Sequence, residues 1–334
     1  MKSLKTFLFR LCLVFMLVLG AVSAGAWYWA TQPVDLAHER VDYIVDPGTH
    51  PRAVAQRMNA AGIRLNEDFF VILARLSGRD TLLKAGGYEA VRGDSPWLLL
   101  ERMANGDMTQ ARITFVEGWT YQRIRQALRE APQVRQTLQD VSDEELLKRL
   151  GSPHTHTEGL FYPDTYVFTP STTDYDILRR AHHAQLELLD RLWEERDKDL
   201  PLISPYEALI LASIVEKETG HGEDRARVAG VFVNRLRANM LLQTDPTVIY
   251  GMGDSYQGRI RRIDLRTDTP WNTYTRAGLP PTPIASVGKA ALMATLHPET
   301  HGFYYFVSRG DGTSEFSSNL AAHNRAVAKY ILKR

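Results

Sequence analysis

The run LILASIVEKETG at 209–220 places an almost wholly apolar stretch ahead of two carboxylates, Glu216 and Glu218. An acid at the end of a buried helix loses hydration, so its pKa rises towards the range a general acid needs. At about 100° per residue, Glu218 continues the face of Glu207, Leu211 and Ile214, with Val215 beside it. Glu216 falls about 160° away, on the side of Leu209 and Ala212. The two acids therefore cannot serve one site from this helix. Glutamates at helix ends are common and mostly solvated, so spacing alone leaves both roles open.

The helix that carries these acids has a clear start. Ser204 suits the N-cap, Pro205 the first turn, and Glu207 completes a capping box. Gly220 is expected to close the helix in the left-handed conformation. Upstream, Gly48, Gly93 and Gly118 each open a similar module of extended run, turn and helix. Apolar pairs follow each glycine at the same offsets: Val54 and Met58, Leu99 and Met103, Ile124 and Leu128. They mark buried helix faces, with Thr49, Ser95 and Thr120 as caps. A further amphipathic stretch spans Phe69 to Leu76.

Beyond about residue 135 the texture changes. Helical patterns cover 143–150, 175–197 and about 225–238, the last with Val228, Val231, Phe232 and Leu236 on one face. Asp245-Pro246 resembles an N-cap and first-turn pair. Residues 251–285 show little periodicity, and loops of that length in a compact domain are usually functional. A hairpin is expected from Phe303–Val307 and Thr313–Ser317, then a final helix capped by Asn319.

Composition narrows the setting. A chain of 334 residues, 44% hydrophobic and 24% charged, suits one or two globular domains. The net charge of +1 argues against a nucleic-acid partner. Residues 11–30 carry no charge, follow Lys2, Lys5 and Arg10, and end near Trp27, Tyr28 and Trp29. That pattern predicts a single-pass anchor with its N-terminus in the cytoplasm and the remainder exported. Val22-Ser23-Ala24 also resembles a cleavage site, but the apolar stretch running on to Ala30 favours a retained anchor. The one cysteine, Cys12, lies within that stretch, leaving the exported part without a thiol.

Several chemistries lack their parts. The chain has no phosphate-cradling glycine loop, no G-x-S-x-G elbow and no paired-histidine zinc motif, so neither metal nor cofactor is assigned. What remains is an acid on a buried helix with loops rich in amides, hydroxyls and aromatics. Gln243, Thr244, Tyr250, Asn272, Thr273, Tyr274 and Asn319 offer hydrogen bonds and flat faces suited to a sugar polymer. Each also has a local alternative, such as Asn319 as a helix cap or Asn272 as a turn former.

The combination of ASIVEKET (212–219), VFVNRL (231–236), LQTDPTVIYG (242–251), NTY…GLPPTPI (272–284) and EG…PDTY (158–166) resembles the endolytic murein transglycosylase (YceG-like) family. The resemblance runs from the anchor to the last helix. It implies an α+β protein: cytoplasmic residues 1–10, a transmembrane anchor over 11–30, a linker over 31–41, a LysM-like domain over 42–108 and a mixed α+β catalytic domain over 109–334. The family's catalytic glutamate falls on Glu218, the residue singled out by its helical face. The implied activity is cleavage of the β-1,4 bond between MurNAc and GlcNAc in nascent glycan, leaving 1,6-anhydro ends in the periplasm. Gln243, Thr244, Asp245, Tyr250, Asn272, Tyr274 and Asn319 are the expected substrate contacts. Peptidoglycan strands, the inner membrane and cell-wall synthases are the expected partners. Asp164 or Asp245 could supply a second carboxylate. A non-catalytic peptidoglycan-binding scaffold and a lysozyme-like hydrolase are the alternatives.

Overall fold

The computed structural model describes residues 2–170 and 172–332, with side chains from residue 7 onward. The described chain divides into two compact units: Met1–Arg112 with 133–135 and 167–172, and the remainder to Arg334. The mixture of helices and short strands agrees with the α+β expectation.

In the first unit, helix α1 (Lys2–Thr31) is one continuous rod. Its stretch Phe7–Thr31 is long and apolar enough to cross a membrane. Strand β1 (Asp35–Leu36) pairs antiparallel with β3 (Ile63–Arg64), and β2 (Arg40–Val45) with β4 (Gly86–Val91). Helices α2 (Pro51–Ala61), α3 (Glu67–Leu76) and α4 (Pro96–Asn105) complete the unit. Alternation along β2 turns Val41, Tyr43 and Val45 inward, onto a core of Val54, Met58, Phe70, Tyr88, Leu99 and Met103.

The repeated apolar pairs are all buried, and Gly48, Gly93 and Gly118 all adopt positive φ. Ser95 and Thr120 cap their helices as expected. Thr49 does not. His50 takes the N-cap position of α2 because Pro51 begins the helix, and the Thr49 hydroxyl bonds back to the Asp46 carbonyl at 2.7 Å. Residues 31–41 are also not a free linker. The Val34 amide donates to the Asp94 carbonyl at 2.8 Å and that of Ala37 to Gly62 at 2.9 Å, with β1 between them.

The second unit takes in the end of β5 (Ala111–Thr114), α5 (Tyr121–Glu130), α6 (Asp143–Leu150), the start of β6 (Thr165–Phe168) and α7 (Asp174–Glu195). Then follow α8 (Pro205–Glu218), α9 (Gly222–Arg237), α10 (Asp245–Met252), α11 (Lys289–Leu296), the hairpin β7 (Tyr305–Ser308) and β8 (Ser314–Ser317), and α12 (Leu320–Tyr330). Helix α8 is buried from Ala208 to Val215 and packs against α7, α9, α10 and α11. That burial on all sides explains its nearly unbroken apolar sequence. The Ser204 cap is as predicted, its hydroxyl accepting the Glu207 amide, but the Glu207 carboxylate accepts the Ile203 amide at 2.8 Å, one residue before the N-cap amide that a capping box would use.

Helix α9 docks closely on the segment 299–303. A methyl group on Gly230 would clash with the Glu299 carbonyl oxygen and lie 2.7 Å from His301 Nε2. Asn234 Nδ2 ties the same segment down through the His301 and Phe303 carbonyls, at 2.8 and 3.0 Å. Gly230→Ala is therefore expected to destabilise the fold by about 1–3 kcal/mol, despite alanine's better helix propensity. A thermal melt would show this as a lowered midpoint. An unchanged midpoint would mean that 299–303 yields freely.

Candidate active site

Helix α8 ends abruptly, and its end sets the site. Thr219 is extended at the C-cap, and Gly220 is not left-handed, contrary to the expected glycine closure. Glu218, the last helical residue, is thereby held partly buried in the lining of a cavity of about 450 Å³. The wall includes Phe232, Arg235, Gln243, Asp245, Tyr274, Tyr305 and His323.

The Thr244 hydroxyl donates a short hydrogen bond to Glu218 Oε1. Thr244, rather than Asp245, is the N-cap of α10, yet its side chain caps nothing because the hydroxyl is committed to Glu218. A threonine network fixes this geometry. The Thr244 amide donates to Thr273 Oγ1 at 3.1 Å, and the Thr247 hydroxyl donates to the Thr244 carbonyl at 2.7 Å. Gln243 precedes it at φ +49°, a left-handed conformation that costs a non-glycine residue energy. Its amide donates to the Thr273 carbonyl at 3.1 Å. Buried Arg235 secures the approach, donating to the Leu242 and Tyr304 carbonyls at 2.8 and 2.7 Å.

Burial pushes the Glu218 carboxyl above its ordinary pKa, and the charge of Asp245 pushes the same way. The Thr244 hydrogen bond and the Arg235 charge oppose the shift without cancelling it. Glu216 lies elsewhere, accepting the Gly288 amide at 3.0 Å, as the helical-face reasoning required.

The expected substrate contacts separate into groups. Gln243 and Asp245 are exposed at the Glu218 cavity, and the Tyr274 hydroxyl donates to Asp245 Oδ1 at 2.6 Å. Thr244 is buried and meets Glu218 directly. Asn272 is not at the cavity surface. It is fully buried, with its amide nitrogen on the carbonyls of Asp264, Leu265 and Thr267 and its oxygen accepting the Tyr274 amide. Asn319 accepts the Ala322 amide at 2.9 Å as the cap of α12. Asp164 accepts the Thr165 amide and does not line the Glu218 cavity.

Tyr250 belongs to a second cavity of about 760 Å³, with Tyr121, His156, Glu158, Tyr256 and Trp271 in its lining. Glu158 there is buried, its carboxylate accepting the first amide of α5, that of Tyr121, at 3.0 Å. Desolvation raises its pKa to about 7, opposed by the Tyr121 and Gly159 amides and the Tyr250 hydroxyl. The pattern EG…PDTY at 158–166 does not by itself single out Glu158, and no local pattern marks Arg235 or His323 as part of a site. An arginine among the apolar residues of VFVNRL is the nearest to a signal for one of them.

The family model that matches, the YceG-like family, does so over residues 43–329. The chain belongs to the YceG-like family. It is 30% identical over 309 residues to the endolytic murein transglycosylase of Bacillus subtilis (strain 168), covering 87% of this chain and 85% of that protein. It is 26% identical to the endolytic murein transglycosylase of Streptococcus pneumoniae (strain ATCC BAA-255 / R6), covering 95% of this chain and 64% of that longer protein. The crystal structure of a YceG-like protein from Listeria monocytogenes superposes with a TM-score of 0.55 at 27% identity. That match covers 86% of this chain and 98% of the Listeria one.

Proposed function

We propose that this YceG-like protein is an endolytic murein transglycosylase, a lyase, with Glu218 as its general acid and base. The observation that carries the reading is a desolvated carboxyl, hydrogen-bonded to Thr244, in the lining of an open polar cavity. Glu218 gives its proton to the β-1,4 glycosidic oxygen as the MurNAc C1–O bond breaks. The resulting carboxylate takes the proton of the same sugar's C6 hydroxyl, whose oxygen bonds to C1. No water is added, and one product ends in 1,6-anhydro-MurNAc. Most glycosidases need two carboxylates across the bond, but an intramolecular nucleophile is already oriented and one acid suffices.

Gln243, Asp245 and Tyr274 are the proposed glycan contacts at the cut. The pairing of β2 with β4 around α2 and α3 supports the LysM-like reading of the first unit. The apolar helix supports an inner-membrane anchor with the catalytic unit in the periplasm.

Mass spectrometry of digested glycan tests the reaction. Anhydro ends are expected, whereas products heavier by one water would make the enzyme a hydrolase, and no new ends at all would leave a binding scaffold. Thr244→Val tests the proton donor. Loss of the hydroxyl removes a bond that favours the carboxylate, so the Glu218 pKa rises further and the alkaline limb of kcat/KM moves to higher pH. A limb that stays in place would separate Thr244 from the titrating group.

A further inference from the structure

Helix α3 carries an apolar stripe on the side away from the core. Phe69, Ile72 and Leu76 are 51%, 51% and 84% exposed. They lie within about 60° of one another around the helix, opposite buried Phe70, Val71 and Ala74. A solvated helix face is normally polar, and contiguous apolar exposure marks an interaction surface.

Its position says what covers it. Phe7–Thr31 spans about 37 Å at 1.5 Å per residue, more than the ~30 Å hydrocarbon core, so Trp27 and Trp29 fall at the bilayer interface. The Trp29 ring meets Phe69 edge-on at 5.4 Å, at the start of α3. Just past the other end of α3, the Arg79 guanidinium sits 4.6 Å over the Trp97 ring, which lies 6.0 Å from Trp27. Trp27 and Trp29 differ in height by only about 3 Å along α1. Both ends of α3 are therefore tied to one level of the anchor, and the helix lies across that level. Ala30 is buried and Trp29 packs on the unit's core, so the connection is stiff.

We propose that Phe69, Ile72 and Leu76 are immersed in the bilayer interface where α1 emerges, laying the first unit on the lipid surface. Exposed Arg75 flanks the stripe and reaches lipid phosphates from there. The proposal rests on α1 being a retained anchor.

The test uses the full chain in nanodiscs of phosphatidylethanolamine and phosphatidylglycerol, with or without doxyl-labelled lipid. Single bimane probes are placed on native Cys12, or on Leu76→Cys or His50→Cys in a Cys12→Ser background. His50 is exposed and lies beyond the far end of β2, about 20 Å of strand from the anchor side. The expected result is at least twofold quenching at positions 12 and 76 and little at 50. Quenching at 12 with equal, weak quenching at 76 and 50 would overturn the proposal alone. No quenching at 12 would overturn the anchor and the proposal together. A Leu76→Cys probe shielded only at high protein loading, or crosslinked to itself, would mean that a second copy covers the stripe.

Discussion

Glu218→Gln should cut glycan cleavage by about 10²- to 10⁴-fold, the usual contribution of a positioned acid–base group. Glutamine keeps the shape and still accepts the Thr244 hydroxyl, so binding of intact strands should survive. It cannot release a proton to the glycosidic oxygen or take one from the C6 hydroxyl. The variant should also be no less stable than the parent at neutral pH. Burial raises the Glu218 pKa, so the ionised carboxylate weakens the native state once pH exceeds its unfolded value. Lost turnover with unchanged or higher thermal midpoint is the signature of a group held at the expense of stability for chemistry. The measurement is the rate of new anhydro ends from purified sacculi, with a melt of both proteins alongside. Full activity in the variant would remove Glu218 from the mechanism.

Glu158→Gln should flatten the pH dependence of folding between about pH 4.5 and 7. Glu158 titrates near 7 when folded and at its ordinary 4.5 when unfolded. The folded state therefore binds the proton more tightly. Stability is fully present below pH 4.5 and falls as pH rises through the window to about 7, by about 3 kcal/mol. Glutamine carries no such titration, so the variant's stability should be flat across that window and exceed the parent's at pH 8. Its oxygen still accepts the Tyr121 amide that opens α5. Denaturant melts at pH 4.5, 6 and 8 would show the difference. Parallel pH curves for the two proteins would mean that Glu158 is solvated.

How much of this was legible in the chain depended on the reach of each interaction. Ser95, Thr120, Ser204 and Asn319 cap helices through amides three residues away, and each was recognisable from its neighbours. The apolar pairs after Gly48, Gly93 and Gly118 were equally plain, because one helical turn brings them to one face. Thr49 failed within the same range because Pro51 moved the helix start by one residue. Helix α11, KAALMATL, lacked an amphipathic stripe to announce it, being almost wholly apolar and packed between α7, α8 and α9.

The sequence by itself determined the anchor-like helix, the capped starts, the apolar pairs after the three glycines and the separate faces taken by Glu216 and Glu218. All follow from periodicity and from contacts within one turn. Only the tertiary structure decided that Thr244 would give up capping α10 to meet Glu218, 26 residues away, or that Glu158 would receive α5 across 37. It alone separated Asn272, spent on backbone carbonyls, from Gln243 at the cavity. A polar side chain with several partners in reach is claimed by whichever one packing brings closest. That outcome depends on distant elements, and no local pattern encodes it.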